Sequence, residues 1–211
     1  MRKKAAFPAI KSFKNYDWSY VAIPETITKN EIITCDFVRE SKNLVLFGPV
    51  GTGKTHMCIA LGMNACELGL KVRYFTTTEL VLRLSKAKAD GTAEKLLKEL
   101  KSYDMIILDE FGYVPIDRDG ARLLFQVISA AYETQSLVIT TNVDFSRWGS
   151  VLMDDQLAAA IIDRVAHYRI LLVFDSESFR LKYVLMGNYK ACLYKNWAFA
   201  TARNILWKTI L

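Results

Sequence analysis

Long apolar runs are absent from this 211-residue sequence. No stretch of about 18 residues is both apolar and free of charge, which is the length that a membrane-spanning helix needs. Residues 1–13 contain a basic cluster without an apolar segment behind it, so they lack the pattern of a secretory signal. Apolar residues nevertheless make up 52% of the chain. The sequence therefore predicts one folded domain with a buried core and no membrane partner.

Paired cysteines are also lacking. The four cysteines, Cys35, Cys58, Cys66 and Cys192, form no C-x-x-C pair and no metal-ligand spacing. Two of them, Cys58 and Cys66, fall within one apolar helical pattern. We interpret all four as reduced thiols in the core of a cytoplasmic protein, because disulfides are rare in that compartment.

Acidic residues are scarce at both ends of the chain. Residues 1–20 carry five basic residues and one acidic residue, and residues 189–211 carry four basic residues and no acid. Because the whole chain has a net charge of +6, the residues between these ends carry a net charge of −2. A basic chain favours a polyanionic partner such as DNA. Here the charge alone gives that reading only weak support, because solvated basic ends explain it equally simply.

Short apolar runs alternate with helical patterns from residue 43 to residue 174. Such runs are typical of strands that are buried on both faces. The predicted strands are 43–47, 71–75, 105–108, 136–141 and 169–174, and the main predicted helices are 54–68, about 78–89, 119–134 and 154–167. This alternation predicts an α/β fold, a parallel sheet covered by helices on both faces.

A glycine-rich turn follows the first of these strands and fits the Walker A pattern G-x-x-x-x-G-K-[ST]. Its residues are Gly48, Pro49, Val50, Gly51, Thr52, Gly53, Lys54 and Thr55. The glycines let backbone N–H groups point at phosphate oxygens. The start of the next helix adds unpaired N–H groups and the positive end of the helix dipole, which attract a phosphate. Lys54 can reach the β- and γ-phosphates of ATP, and Thr55 can ligate Mg²⁺. A chance match is the alternative, but the required strand and helix flank the motif.

Polar residues end two further buried strands, where ligands sit in open α/β sheets. We predict that Asp109 holds Mg²⁺ and that Glu110 aligns and deprotonates an attacking water, which favours hydrolysis. Two solvated acids at a strand end are the alternative. Asn142 ends the next strand and can orient the same water, or it can simply cap the turn before Asp144.

Residues 11–180 resemble the IstB family, the AAA+ ATPase helpers of insertion-sequence transposases. The resemblance is carried by "DEFGYVPIDRDGARLLFQVIS" (109–129), "LVITTN" (137–142), "FSRWGSVLMDDQLAAAIIDRVAHY" (145–168) and "SESFR" (176–180). The chain is similar, more distantly, to the DnaC and DnaI helicase loaders.

The resemblance implies an AAA+ core of five parallel strands that binds ATP and Mg²⁺. It further implies oligomers that assemble on double-stranded DNA and recruit a transposase. The family's arginine finger falls on Arg164, which would enter the ATP site of a neighbouring subunit. Its sensor arginine falls on Arg180, which would touch the γ-phosphate in the same subunit. Without the resemblance, these two arginines would be interpreted as a solvated helix residue and a surface ion pair.

The predicted organisation has three parts: a basic lead-in over residues 1–30, the AAA+ core over 31–187 and an atypical tail over 188–211. The family carries a helical domain before its ATPase, whereas Met1 lies just ahead of the joining segment. The tail contains five aromatic residues within 189–211, and its apolar residues follow neither the helical nor the strand period. We interpret it as out-of-frame, fused or disordered sequence, with a membrane- or partner-binding helix as the alternative.

The motifs are compatible with four functions. An ATPase that assists a transposase fits the motifs best, and a helicase loader would use the same chemistry with another partner. A truncated remnant could bind ATP without its partners. A P-loop kinase for a small molecule fits least well, because its only candidate lid, residues 86–101, lacks arginine.

Deletion of residues 189–211 tests the interpretation of the tail. If the tail is foreign to the fold, the melting temperature should stay unchanged and solubility should improve, because exposed aromatic residues promote association. A melting temperature lowered by several degrees would show instead that Trp197 or Trp207 packs into the core.

Overall fold

The computed structural model describes residues 2–167, 169–175 and 178. Within them, six strands form one sheet: β1 (Val21–Ala22), β2 (Asn43–Phe47), β3 (Val72–Thr76), β4 (Met105–Phe111), β5 (Ser136–Thr141) and β6 (Arg169–Phe174). The α-helices of this part are α1 (Arg2–Ala5), α2 (Lys29–Ile33), α3 (Asp36–Arg39), α4 (Lys54–Glu67), α5 (Thr77–Ala89), α6 (Ala93–Leu100), α7 (Arg118–Ala131), α8 (Trp148–Leu152) and α9 (Asp155–His167). A 3₁₀ helix, Phe145–Arg147, precedes α8. No helix of this part of the chain is long and apolar enough to cross a membrane.

The strands are ordered β1-β6-β2-β5-β4-β3, and the five longer ones are parallel. The predicted parallel sheet is confirmed. The sixth strand, β1, was not predicted and pairs antiparallel with β6 at the edge. A strand of two residues is too short to produce a periodic pattern, so it cannot be predicted from hydrophobic periodicity.

The central strands are buried on both faces, and each face contributes to a separate hydrophobic cluster. Leu44 and Leu46 of β2 face the cluster formed with α4, whereas Val45 faces the cluster that contains residues of α5, α7 and α9. Every residue of β5 is buried. Burial on both sides explains why these strands appear in the sequence as continuous apolar runs.

Helix α7 ends earlier than the sequence predicts. It stops at Ala131, three residues before the predicted end at residue 134, because Tyr132 leaves the helical conformation with ψ 128° and Glu133 has a φ of 58°. The Thr134 hydroxyl donates to the Ala130 and Ala131 carbonyls at 3.1 and 3.2 Å. These side-chain bonds stabilise the turn without the glycine that usually marks a helix end.

Three of the four cysteines lie in the described part of the chain, and all three are buried free thiols. Burial raises the pKa of Cys35 to about 12. Burial, followed by the charge of Asp109, raises the pKa of Cys58 well above its usual value. Because the thiolate is the reactive form, burial keeps the thiols of Cys35 and Cys58 in the protonated, less reactive form at neutral pH. The prediction of core thiols is confirmed for Cys35, Cys58 and Cys66, whereas Cys192 lies outside the described residues.

The lead-in packs along α4. Phe7 lies against Gly62 in the middle of that helix, and the Tyr16 hydroxyl donates to the Gly53 carbonyl at its start, over 3.4 Å. The segment therefore runs antiparallel to α4 and reaches the phosphate loop. Aromatic contacts hold it together, since the ring centroids of Tyr16 and Trp18 are 5.4 Å apart.

The substitution Gly62→Ala tests this packing. An added Cβ would lie 2.5 Å from Phe7 Cε1 and 2.9 Å from Ile107 Cδ1. We expect overpacking to destabilise the fold by about 1–3 kcal/mol, offset in part by about 1 kcal/mol of helix propensity. The cost should shrink in a Phe7→Ala background, as measured by a double-mutant cycle of denaturant unfolding. Additive effects would contradict the contact between Phe7 and α4.

Candidate nucleotide-binding site

The polar motifs of the sequence meet at one edge of the sheet. The phosphate loop follows β2, Asn142 follows β5, and Asp109 and Glu110 lie near the end of β4. These three parallel strands are adjacent in the order β2-β5-β4, so their carboxyl ends point the same way. The Gly48 N–H donates to the Thr141 carbonyl at 3.2 Å and joins the loop to the end of β5. The edge is therefore where a ligand of an open α/β sheet would bind.

Backbone conformation favours glycine at two points of the loop, Gly51 and Gly53. Gly51 and Gly53 have φ values of 81° and 96°, in the left-handed region that favours glycine. Gly53 is also the N-cap of α4 and provides no capping side chain. The first N–H groups of α4 thus face the loop, which is the arrangement that binds phosphate.

Lys54 lies inside the curve of the loop. Its ammonium group donates to the Gly48 carbonyl at 2.7 Å and to the Pro49 carbonyl at 2.6 Å, and the residue is only 5% exposed. Thr52 is buried too, and its hydroxyl donates to the same Pro49 carbonyl at 2.8 Å. The loop is therefore curled around a cation, and a phosphate oxygen is a stronger acceptor for that cation than a neutral carbonyl.

Two other segments approach the loop closely. A Cβ at Gly51 would clash with the Ser178 hydroxyl, and a Cβ at Gly48 would clash with the Phe174 carbonyl. Gly48 and Gly51 are thus required by close approach as well as by phosphate chemistry. Ser178 belongs to the same motif as Arg180, which lies outside the described residues, so the role of Arg180 stays a prediction.

Asp109 is a buried carboxylate with three hydroxyl partners. It is 1% exposed; Thr55 donates to Oδ1 at 3.1 Å, Thr140 also donates to Oδ1, and Tyr74 donates to Oδ2 at 2.7 Å. Because the Thr55 hydroxyl gives its only proton to Asp109, its lone pairs stay available for a metal ion. Burial first, and then the hydrogen bond and charge of Asp109, raise the pKa of Tyr74, so Tyr74 stays protonated and donates.

Tyr74 and Thr140 were not predicted as site residues. Each carries a hydroxyl within a largely buried strand, "VRYFT" and "SLVITT", and other polar residues in the same strands make this a weak signal. A hydroxyl inside a buried strand needs a hydrogen-bond partner, but the sequence does not say which one.

Glu110 lies beside this buried carboxylate and is exposed at the edge. Its φ of 60° is unusual for a residue other than glycine, and such strain clusters at functional sites. Its N–H donates to the Thr140 hydroxyl at 2.9 Å. The role of Glu110 as a base stays a prediction.

Asn142 follows the last residue of β5 and is exposed. The bonds of the following turn come from other residues: Val143 N–H donates to the Thr141 hydroxyl at 3.0 Å, and Ser146 N–H donates to Asp144 Oδ1 at 2.8 Å. Thr141 and Asp144 therefore supply the capping that was the alternative role for Asn142.

Arg164 lies at the other end of the strands. Its guanidinium donates to the Ala160 carbonyl at 2.9 Å and stacks 4.8 Å from the Phe125 ring centroid. Its carbonyl accepts from the side chain of Asn43, the first residue of β2, at 3.3 Å. The phosphate loop follows the last residue of β2, so a single chain does not bring Arg164 to its own loop.

The sheet order and the loop after β2 define an α/β P-loop NTPase of the AAA+ type. The solved DnaC helicase loader shares this fold with a TM-score of 0.60 and 24% identity, covering 78% of this chain and 96% of that chain. The solved DnaI structure has a TM-score of 0.64 and 18% identity, covering 83% of this chain and 94% of that chain.

The family model described as "IstB-like ATP binding protein" matches residues 1–186. The IS21 putative ATP-binding protein of Pseudomonas aeruginosa is 37% identical over 180 residues, covering 85% of this chain and 68% of the relative. The IS232 putative ATP-binding protein of Bacillus thuringiensis subsp. berliner is 35% identical over 185 residues, covering 86% and 73%. The chain therefore belongs to the IstB-like ATP binding protein family, and the predicted resemblance is confirmed.

Proposed function

We propose that this protein binds Mg·ATP and hydrolyses it as an oligomeric ATPase that assembles on double-stranded DNA and assists a transposase. One observation carries the proposal: Thr55 of the phosphate loop donates to buried Asp109, with Glu110 next to it at the same sheet edge. This arrangement combines phosphate binding, a metal-ligating pair and a candidate base within one site.

The residues fit Mg·ATP by their chemistry. Backbone N–H groups of residues 50–55 and the ammonium of Lys54 would hold the phosphates, and the oxygens of Thr55 and Asp109 suit a hard cation. When bound, Mg²⁺ neutralises phosphate charge. Glu110 orients a water and accepts its proton, and Asn142 orients the same water.

The insertion-sequence relatives favour a role beside a transposase over a role in helicase loading. They are the family members with the higher identity, whereas the loaders share the fold at 24% identity or less. A small-molecule kinase is disfavoured because Glu110 suits water activation and because the candidate lid, residues 86–101 at the end of α5 and along α6, lacks arginine. The basic ends of the chain are the candidate DNA contacts.

Two substitutions separate binding from hydrolysis. Lys54→Ala should abolish tight Mg·ATP binding, because the ammonium group pairs with the phosphates. Glu110→Gln should keep binding and lower turnover by about 10²- to 10⁴-fold, because only water activation is removed. Nucleotide fluorescence titration and phosphate release measure the two effects. Lys98→Ala and Glu94→Gln on α6 are matched controls. Equal turnover in wild type and Glu110→Gln would contradict the role of Glu110 in water activation.

Subunit mixing tests whether Arg164 acts on a neighbouring subunit. An arginine finger contributes about 10³- to 10⁵-fold in rate because its guanidinium meets charge that develops on the γ-phosphate. We therefore expect a dilute chain to bind ATP but hydrolyse it slowly, with turnover per subunit rising with protein concentration and with added DNA.

The decisive mixture combines Arg164→Ala with Lys54→Ala, each inactive alone. Activity should partly return, because some sites pair an intact loop with an intact arginine. Mixing Arg164→Ala with the Lys54→Ala/Arg164→Ala double variant is the control, since that mixture has no intact arginine. No recovery in the first mixture, together with a dilute wild type that is fully active, would rule out the finger and the oligomeric ATPase.

A further inference from the structure

Strand β4 has one residue more than β5 at the site. Leu108 pairs with Ile139 and Phe111 pairs with Thr141, so both Asp109 and Glu110 lie opposite the single residue Thr140. Such a bulge re-aims side chains and is common next to active sites. Here the bulge falls at the two acidic residues, while Asp109 keeps its regular pairing with Thr76 of β3.

One hydroxyl closes this bulge. The Thr140 Oγ1 donates to Asp109 Oδ1 and accepts from the Glu110 N–H at 2.9 Å. Thr140 is itself buried, so water does not compete for these bonds. The position of one oxygen therefore fixes both the Asp109 carboxylate and the Glu110 backbone, which holds a φ of 60°.

Tyr74 touches only one of the two acids. Its hydroxyl reaches Asp109 Oδ2 at 2.7 Å from the other neighbouring strand, β3. Thr55 and Thr140 donate to Oδ1, and Tyr74 donates to Oδ2. Because both oxygens accept hydrogen bonds, the carboxylate cannot rotate freely. The two strands that flank β4 thus contribute one hydroxyl each to the Asp109 carboxylate.

We propose that Thr140 is a positioning residue that couples the metal-ligating Asp109 to the catalytic Glu110, and that Tyr74 positions Asp109 alone. The inference rests on the proposed function, because it assigns roles around its metal ligand and base. Partners that orient a metal ligand typically contribute 10- to 100-fold in metal affinity or activity. The two residues should therefore have separable effects.

The test compares Thr140→Val, Thr140→Ser and Tyr74→Phe with wild type. Binding of a fluorescent ATP analogue is titrated with Mg²⁺ and, separately, in EDTA, and kcat is measured at saturating Mg²⁺. Thr140→Val should raise the Mg²⁺ concentration for half-maximal tightening of binding by about 10- to 100-fold and lower kcat by a similar factor. Thr140→Ser keeps the hydroxyl and should restore both values. Tyr74→Phe should shift the Mg²⁺ requirement in the same direction but lower kcat less.

Binding in EDTA separates positioning from a general structural effect, because the phosphate loop is unchanged and metal-free affinity should stay at the wild-type value. Tyr103→Phe is the matched control, since it deletes a hydroxyl that donates to another carboxylate, Glu99, at 3.2 Å. Should Thr140→Val not fold, Thr140→Ala makes the same comparison without adding a methyl group.

Three results would overturn the inference: a wild-type Mg²⁺ requirement and kcat in Thr140→Val, no rescue by Thr140→Ser, or an equal loss of binding in EDTA. A wild-type protein whose nucleotide binding ignores Mg²⁺ would overturn the proposed function and this inference together. Normal wild-type behaviour with silent variants would overturn the inference alone.

Discussion

The site depends on one buried charge, the carboxylate of Asp109. A carboxylate that is 1% exposed is stable only when hydrogen bonds replace water. Those bonds come from three elements: Thr55 on α4, Tyr74 on β3 and Thr140 on β5. The electrostatic requirement of a single side chain therefore fixes the relation between the phosphate loop and the two strands beside β4.

The phosphate loop itself is held from several sides. The end of β5 bonds to Gly48, the lead-in reaches Gly53 through Tyr16, and Ser178 packs against Gly51. Segments that are distant in the sequence thus converge on the same eight residues. A loop that is anchored in this way keeps its N–H groups oriented before any ligand arrives, and such preorganisation lowers the cost of binding.

One chain arranges the phosphate loop, the candidate metal ligands Thr55 and Asp109 and the candidate base Glu110 at the same edge of the sheet, but it does not bring Arg164 there. Arg164 lies near Asn43, where β2 begins, and the loop lies where β2 ends. A parallel strand separates its two ends by its full length, so residues at opposite ends do not meet within one chain. If Arg164 acts in hydrolysis, as we propose, it must do so in the site of a second copy, and for this reason the proposed function includes assembly.

The sequence by itself determined the elements whose signals are local. The five apolar runs predicted the five parallel strands, and the Walker A pattern with its flanking strand and helix predicted the loop. Patterns of this kind depend on neighbours within a few residues, so they can be recognised without the fold. The family resemblance was likewise carried by continuous stretches of sequence.

Only the tertiary structure decided what depends on strand order and close approach. It revealed Tyr74 and Thr140 as partners of Asp109, the pairing of β1 with β6, and the end of α7 at Ala131. It also showed that Thr141 and Asp144 accept the hydrogen bonds of the turn after β5. From the sequence alone, Asn142 was an equally good candidate for that capping role. Each of these outcomes rests on hydrogen bonds or dihedral angles set where strands, turns and side chains meet. Hydrophobic periodicity specifies which residues are buried, but not which buried hydroxyl meets which carboxylate.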